Sequence, residues 1–98
     1  MEIVFRNKDL DRLETDPEFA GGFIPAIVKA YRKRIWAIRN ATDERDFYVL
    51  KSWHYEKLKG NRSHQRSIKL NQKWRLIIEI VKMKPSNVIE IIGIEDYH

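Results

Sequence analysis

The chain has 98 residues, with 19 Lys and Arg against 14 Asp and Glu, a formal charge of +5, and 43% hydrophobic content that includes three Trp, four Tyr and four Phe. That length holds one core, so a single domain over 1–98 is expected; the aromatic content excludes disorder, and the absence of cysteine excludes a disulfide framework or a thiolate metal site. No apolar run approaches the ~20 residues of a membrane span, and Met1-Glu2-Ile3-Val4-Phe5 reads straight into structure without a leader pattern, so a cytoplasmic protein with no membrane association is expected.

Ile3-Val4-Phe5 reads as a short first strand. Lys8 to Glu14 reads as a short helix closed by Asp16-Pro17, because proline disfavours helix in the residue before it. Gly21-Gly22 marks a turn, and Pro25 stands where a second helix begins. Ile24, Ile27, Val28, Tyr31, Ile35 and Ile38 recur at helical spacing, with Lys29, Arg32, Lys33 and Arg39 off that stripe, which predicts a helix to about Ala41. Asp43 to Lys51 reads as an irregular connection whose Phe47, Tyr48, Val49 and Leu50 plug the core.

After residue 52 the period becomes strand-like. His54 to Leu58 is an expected strand, broken by Gly60-Asn61, and Ser67-Ile68-Lys69-Leu70 alternates. Asn71-Gln72-Lys73 then turns the chain into a long central strand, Trp74 to Val81. Lys84-Pro85-Ser86-Asn87 forms the next turn, and Val88 to Glu95 is the last strand. Short turns between successive strands predict an antiparallel meander. The expected fold class is therefore α+β: a twisted antiparallel sheet of about four to five strands, covered by two N-terminal helices. Trp53, Tyr55 and Trp74 are expected to be core or sheet-covering aromatics.

Two features carry chemistry. From Lys57 to Arg75 the chain has seven basic residues (Lys57, Lys59, Arg62, Arg66, Lys69, Lys73, Arg75) and no acid, a block suited to a polyanion. The β-branched run Val88-Ile89-Glu90-Ile91-Ile92-Gly93-Ile94 delivers Glu95-Asp96-Tyr97-His98, placing an imidazole, which titrates near neutrality, directly after a buried strand. The three histidines lie far apart and the acids show no ligand spacing, so neither a metal site nor a cofactor is expected.

The string Glu56-Lys57-Leu58-Lys59-Gly60-Asn61-Arg62, then Ser67-Ile68-Lys69-Leu70-Asn71-Gln72-Lys73-Trp74-Arg75-Leu76, then Asp96-Tyr97-His98 resembles the HigB branch of the RelE/ParE superfamily of bacterial toxins. The resemblance spans the C-terminal half and implies a RelE/ParE-like fold and a ribosome-dependent endoribonuclease that cuts messenger RNA. It also implies a cognate antitoxin, a small helix-turn-helix protein of the HigA type, with the ribosome and mRNA as further partners. On this resemblance Arg75 clamps the scissile phosphate and Lys59 adds a second charge. Tyr97 engages the nucleotide, and His98 is the general acid.

Many relatives carry a histidine where this chain has Glu56, so Glu56 is the candidate base; His54, two residues earlier, is the alternative on strand alternation. Lys57, Arg62, Arg66, Lys69 and Lys73 are candidate RNA contacts, and His64 is a solvated hairpin residue near them. The competing expectation for Arg75 is a structural pair with a strand acid such as Glu90. The competing function is a non-cleaving toxin of the same fold, such as a gyrase-targeting ParE relative, or a plain nucleic-acid-binding module.

Overall fold

Local signals fix where the helices start. Asn7 caps α1 (Lys8–Thr15) by accepting a hydrogen bond from the Leu10 amide at 3.0 Å, and Asp9 and Asp11 complement the positive helix end. Pro25 occupies the first turn of α2 (Pro25–Asn40), where its missing N–H costs no intrahelical bond. In the computed structural model, which describes residues 1–96, Ile27, Val28, Tyr31, Ile35 and Ile38 form the buried stripe of α2. Ile24 is not part of that stripe: it precedes the helix and is 61% exposed.

The connection after α2 is more ordered than its sequence suggested. A short helix, α3 (Arg45–Val49), is followed by a 3-10 turn, Lys51–Trp53. Only Phe47 of the expected plug is buried; Tyr48, Val49 and Leu50 are exposed, because a single helical turn on the surface directs one side chain inward. Phe47 stacks on Trp53 and meets Tyr55 edge-on, so the aromatic plug is Phe47-Trp53-Tyr55.

Five strands follow the order β1-β5-β4-β3-β2, with β1 Glu2–Phe5, β2 Glu56–Lys57, β3 Gln65–Lys69, β4 Trp74–Val81 and β5 Val88–Asp96. The β2-β3-β4-β5 run is the expected antiparallel meander. β1 departs from it by pairing in parallel with β5, Glu2 opposite Val88 through Phe5 opposite Ile91, so the sheet is mixed. The strand expected over His54 to Leu58 shrinks to Glu56–Lys57, because the 3-10 turn runs to Trp53 and His54 leaves it with a left-handed φ of 44°.

Strand alternation sorts the side chains onto two faces. Ile3, Ile68, Leu76, Ile78, Ile89 and Ile91 share the core with the apolar stripes of α1 and α2. The opposite, open face of the sheet carries Glu56, Ser67, Lys69, Arg75 and Ile77. A bulge in β5 opposite Ile77 and Ile78 leaves Ile92 unpaired, so Gly93 and Glu95 fall on the open face and Ile94 on the core side. Without that extra residue the alternation of Ile89 and Ile91 would have sent Glu95 toward the helices.

Candidate active site on the open face of the sheet

Two rows of cross-strand neighbours build the site. Glu56 lies opposite Ser67, Ser67 opposite Ile77, and Ile77 opposite Gly93; in the next row Lys69 lies opposite Arg75 and Arg75 opposite Glu95. Register thus brings Glu56, Lys69, Arg75 and Glu95 to one face from four strands.

Arg75 is 7% exposed, deep for a cation, and its Nη1 donates to the His54 carbonyl at 3.2 Å. That bond joins β4 to the chain just before β2, at the residue whose left-handed backbone redirects the strand. The expected alternative partner, Glu90, is engaged elsewhere: it lies opposite Glu79 and takes Arg6 at 3.4 Å.

Arg62 stands in the 3-10 turn Gly60–Arg62, which Gly60 enters at a φ of 66°, a conformation that favours glycine. Its guanidinium makes two parallel bonds to Glu95, 2.9 Å and 2.7 Å, and a third to Gln65 Oε1 at 2.9 Å, reaching from β3 to β5. The Glu95 carboxylate holds the Arg62 guanidinium above its ordinary pKa. Glu95 was not a candidate on sequence; the β5 bulge that aims it lies within an apolar run that alternation cannot resolve.

The remaining candidates separate. Lys59 is exposed and immediately precedes the 3-10 turn. Lys57 lies opposite Arg66, and both belong by register to the helix-side row. There Arg66 Nη1 donates to the carbonyls of Ser63 and Gln65, and its Nε lies 3.8 Å from Glu44. Lys73, at the β3-β4 turn, approaches Asp96 at 3.7 Å and the Trp74 ring at 5.4 Å. Trp74 is half-buried against Phe23. The exposed His64 sits 3.8 Å from Glu79. The basic block therefore divides between two faces and a hairpin tip.

The His54 side chain is exposed, and its backbone departs from the alternation on which it was placed beside Glu56. Tyr97 and His98 lie outside the described residues. Among the described residues no group of three or more His, Asp or Glu side chains is arranged to hold a metal ion, and no helix is long and apolar enough to cross a membrane.

Chemically, the face offers a desolvated, geometrically fixed guanidinium in Arg75, an exposed carboxylate in Glu56 one row away, and a second guanidinium in Arg62. A family model described as the RelE-like toxin of type II toxin-antitoxin system HigB matches residues 3–97. Among solved structures, the fold is similar to a YoeB/ParE toxin from Agrobacterium tumefaciens, with a TM-score of 0.65 and 17% identity over all of both chains. No curated protein sequence matches the chain.

Proposed function

The chain belongs to the HigB-like family of RelE-like toxins of type II toxin-antitoxin systems, and from that premise we propose that it is a ribosome-dependent endoribonuclease that inhibits translation by cutting messenger RNA in the cytoplasm. The observation that supports this reading is the buried Arg75, fixed by the His54 carbonyl on the same face as Glu56. A guanidinium excluded from water stabilises charge far better than a solvated one, and its fork matches two phosphate oxygens.

In the proposed reaction Glu56 takes the proton of the ribose 2′-OH and the 2′-oxygen attacks phosphorus. Arg75, with Lys59, stabilises the pentavalent phosphorane. The P–O5′ bond then breaks as His98 gives its proton to the departing 5′-oxygen, leaving a 2′,3′-cyclic phosphate and a 5′-hydroxyl. Tyr97 engages the nucleotide, and Lys57, Arg66, Lys69 and Lys73 supply backbone contacts, while Arg62 is held by Glu95 instead. The scheme needs no metal and no cofactor, and its nucleophile makes RNA the substrate. A family of this kind implies an antitoxin partner; we assign it to the small helix-turn-helix, HigA-like type.

Incubating the purified chain with programmed ribosomes and mapping RNA ends tests the proposal. Cleavage that needs the ribosome and leaves 5′-hydroxyl ends is the expected result. Intact message, together with arrest of DNA gyrase, would place the chain with non-cleaving toxins of the same fold.

A further inference from the structure

A cavity of about 250 Å³ opens where the chain enters β2, lined by Tyr48, Leu50, Lys51, His54, Tyr55 and Glu56. Glu56 belongs both to this cavity and to the open face of the sheet. Because β2 is an edge strand, a polymer crossing the strands from β5 toward β2 leaves the sheet at the cavity.

The lining is fixed by the fold itself. Tyr55 donates its hydroxyl to Glu44 at 2.7 Å, and Tyr48 meets the Tyr55 ring edge-on with centroids 4.8 Å apart. An edge-on contact covers at most one face of Tyr48, which is 58% exposed, so the ring keeps a surface for stacking. His54 holds a left-handed φ of 44° without being glycine, and its carbonyl takes Arg75 Nη1 at 3.2 Å. A backbone kept away from its preferred region persists only where its surroundings enforce it, and such residues cluster at functional sites.

Size and chemistry select the occupant. The volume falls below the roughly 300–1,000 Å³ of sites for drug-sized ligands, so the cavity takes one planar ring system rather than a helix or a whole cofactor. An exposed phenol face stacks on a nucleobase, and the exposed Lys51 meets a phosphate. An aromatic side chain of another protein would use the ring but leave the lysine idle.

We propose that this cavity seats the nucleobase on the 5′ side of the scissile phosphate, stacked on Tyr48, with Lys51 on the backbone phosphate of the same nucleotide. The assignment rests on the RNA cleavage proposed above, and its polarity follows from that chemistry. Glu56 takes the proton of the attacking 2′-oxygen, which belongs to the nucleotide 5′ of the broken bond, whereas the departing 5′-oxygen belongs to the next nucleotide, at the β5 end. The ribose held at Glu56 therefore carries its base toward the cavity that Glu56 lines. Stacking tolerates every base, so the cavity adds affinity and register rather than strict base choice.

The test pairs programmed ribosomes with messages altered at that one nucleotide. Tyr48→Ala is expected to lower kcat/KM roughly 5- to 150-fold, as loss of one base–aromatic stack does, mainly by raising KM. Tyr48→Trp should restore the rate and Tyr48→Leu should not. Lys51→Ala should weaken the reaction several-fold and lower its salt dependence, whereas Lys82→Ala, an exposed cation just after β4, should change neither. On a message with an abasic ribose at that position, which keeps the attacking 2′-hydroxyl, the parent and Tyr48→Ala should cleave alike. A message with 5-iodo-2′-deoxyuridine there has no attacking hydroxyl and reads binding alone; ultraviolet light should crosslink it to Tyr48. Circular dichroism confirms the fold of each variant. Parental kinetics in folded Tyr48→Ala would overturn the cavity assignment and leave the cleavage reading intact. A Tyr48→Ala defect that persists on the abasic message would give the ring to a ribosomal RNA base and overturn the proposal. Crosslinking at Tyr48 without cleavage of any message by the parent would remove the nuclease reading and keep the cavity as a nucleobase site, and absence of both would remove both.

Discussion

Arg75 reaches across the sheet to donate to the backbone carbonyl of His54 at 3.2 Å, so the arginine proposed to bind phosphate is held by a peptide group rather than by the His54 imidazole. One guanidinium nitrogen is thereby used for positioning. Arg75→Ala should cut RNA cleavage about 100-fold or more, as loss of an oxyanion-type donor does. It should also cost about 1 kcal/mol of stability from the unpaired carbonyl, a fall of about 4–8 °C in Tm for a domain of this size. Arg75→Lys keeps the charge but loses the fork, and should recover little activity. Parental cleavage by a folded Arg75→Ala variant would return the residue to a structural role.

Glu56 and His54 are separable as candidate bases. Glu56 stands in register on the face of Arg75, whereas His54 occupies a left-handed conformation that glycine adopts without penalty. Glu56→Gln should slow cleavage by about 10²–10⁴-fold with folding unchanged. His54→Gly should keep activity within a few-fold and lose no thermal stability. The opposite pattern in single-turnover rates would make His54 the base.

Much of the fold is legible in the sequence because local chemistry specifies it. Pro25 and the Ile27-Tyr31-Ile35-Ile38 spacing define α2, and the run from Trp74 to Val81 defines β4. The parallel pairing of β1 with β5 is not legible, since it joins residues more than eighty positions apart and both strands read alike in either direction. The β5 bulge is hidden because Ile89, Ile91, Ile92 and Ile94 are apolar on both faces, leaving no alternation to break. The candidate site was legible as a set of residue types around Arg75 and Glu56. Its internal restraint by Glu95 was not, because that restraint follows from the hidden bulge.

Glu95 withholds Arg62 from any phosphate. The two bonds between them, 2.9 Å and 2.7 Å, join side chains about two-fifths exposed, so the pair contributes at most about 1 kcal/mol. Glu95→Gln should leave Tm nearly unchanged while freeing the guanidinium. Affinity for single-stranded RNA should then rise, and its dependence on log salt should steepen by about 0.7, the increment for one added phosphate contact. An unchanged slope would make Arg62 a purely structural strut.

Two buried tyrosines, Tyr31 and Tyr55, are expected to weaken the fold at alkaline pH. The buried hydroxyl of Tyr31 donates to the Leu10 carbonyl at 2.7 Å, and burial pushes the phenol well above its ordinary value near 10. Burial and the hydrogen bond to Glu44 raise Tyr55 in the same direction. A raised folded pKa stabilises the protein fully below the unfolded value and is lost as pH climbs through the folded one. The urea midpoint should therefore hold between pH 7 and 9 and fall above about pH 10. Tyr31→Phe should lower stability at neutral pH by about 1 kcal/mol through the lost hydrogen bond, with a shallower alkaline decline. A variant curve parallel to the parent's at high pH would assign the decline to other groups.

His98 carries the most specific prediction, because β5 runs to Asp96, past the Arg75-Glu95 pair, and delivers the chain toward the residue proposed as the acid. Deleting His98 removes the imidazole at position 98. Ribosome-stimulated cleavage should be lost while Tm and antitoxin affinity stay near parental values. His98→Gln should behave in the same way, since an amide keeps shape and hydrogen bonding but has no titratable proton to give. A message with a 5′-thio leaving group needs little protonation at the departing atom, so it should restore much of the rate in both variants and much less in Arg75→Ala, whose defect lies at the phosphorane. Parental cleavage by the truncated chain, or loss of activity only through unfolding, would remove His98 from the mechanism.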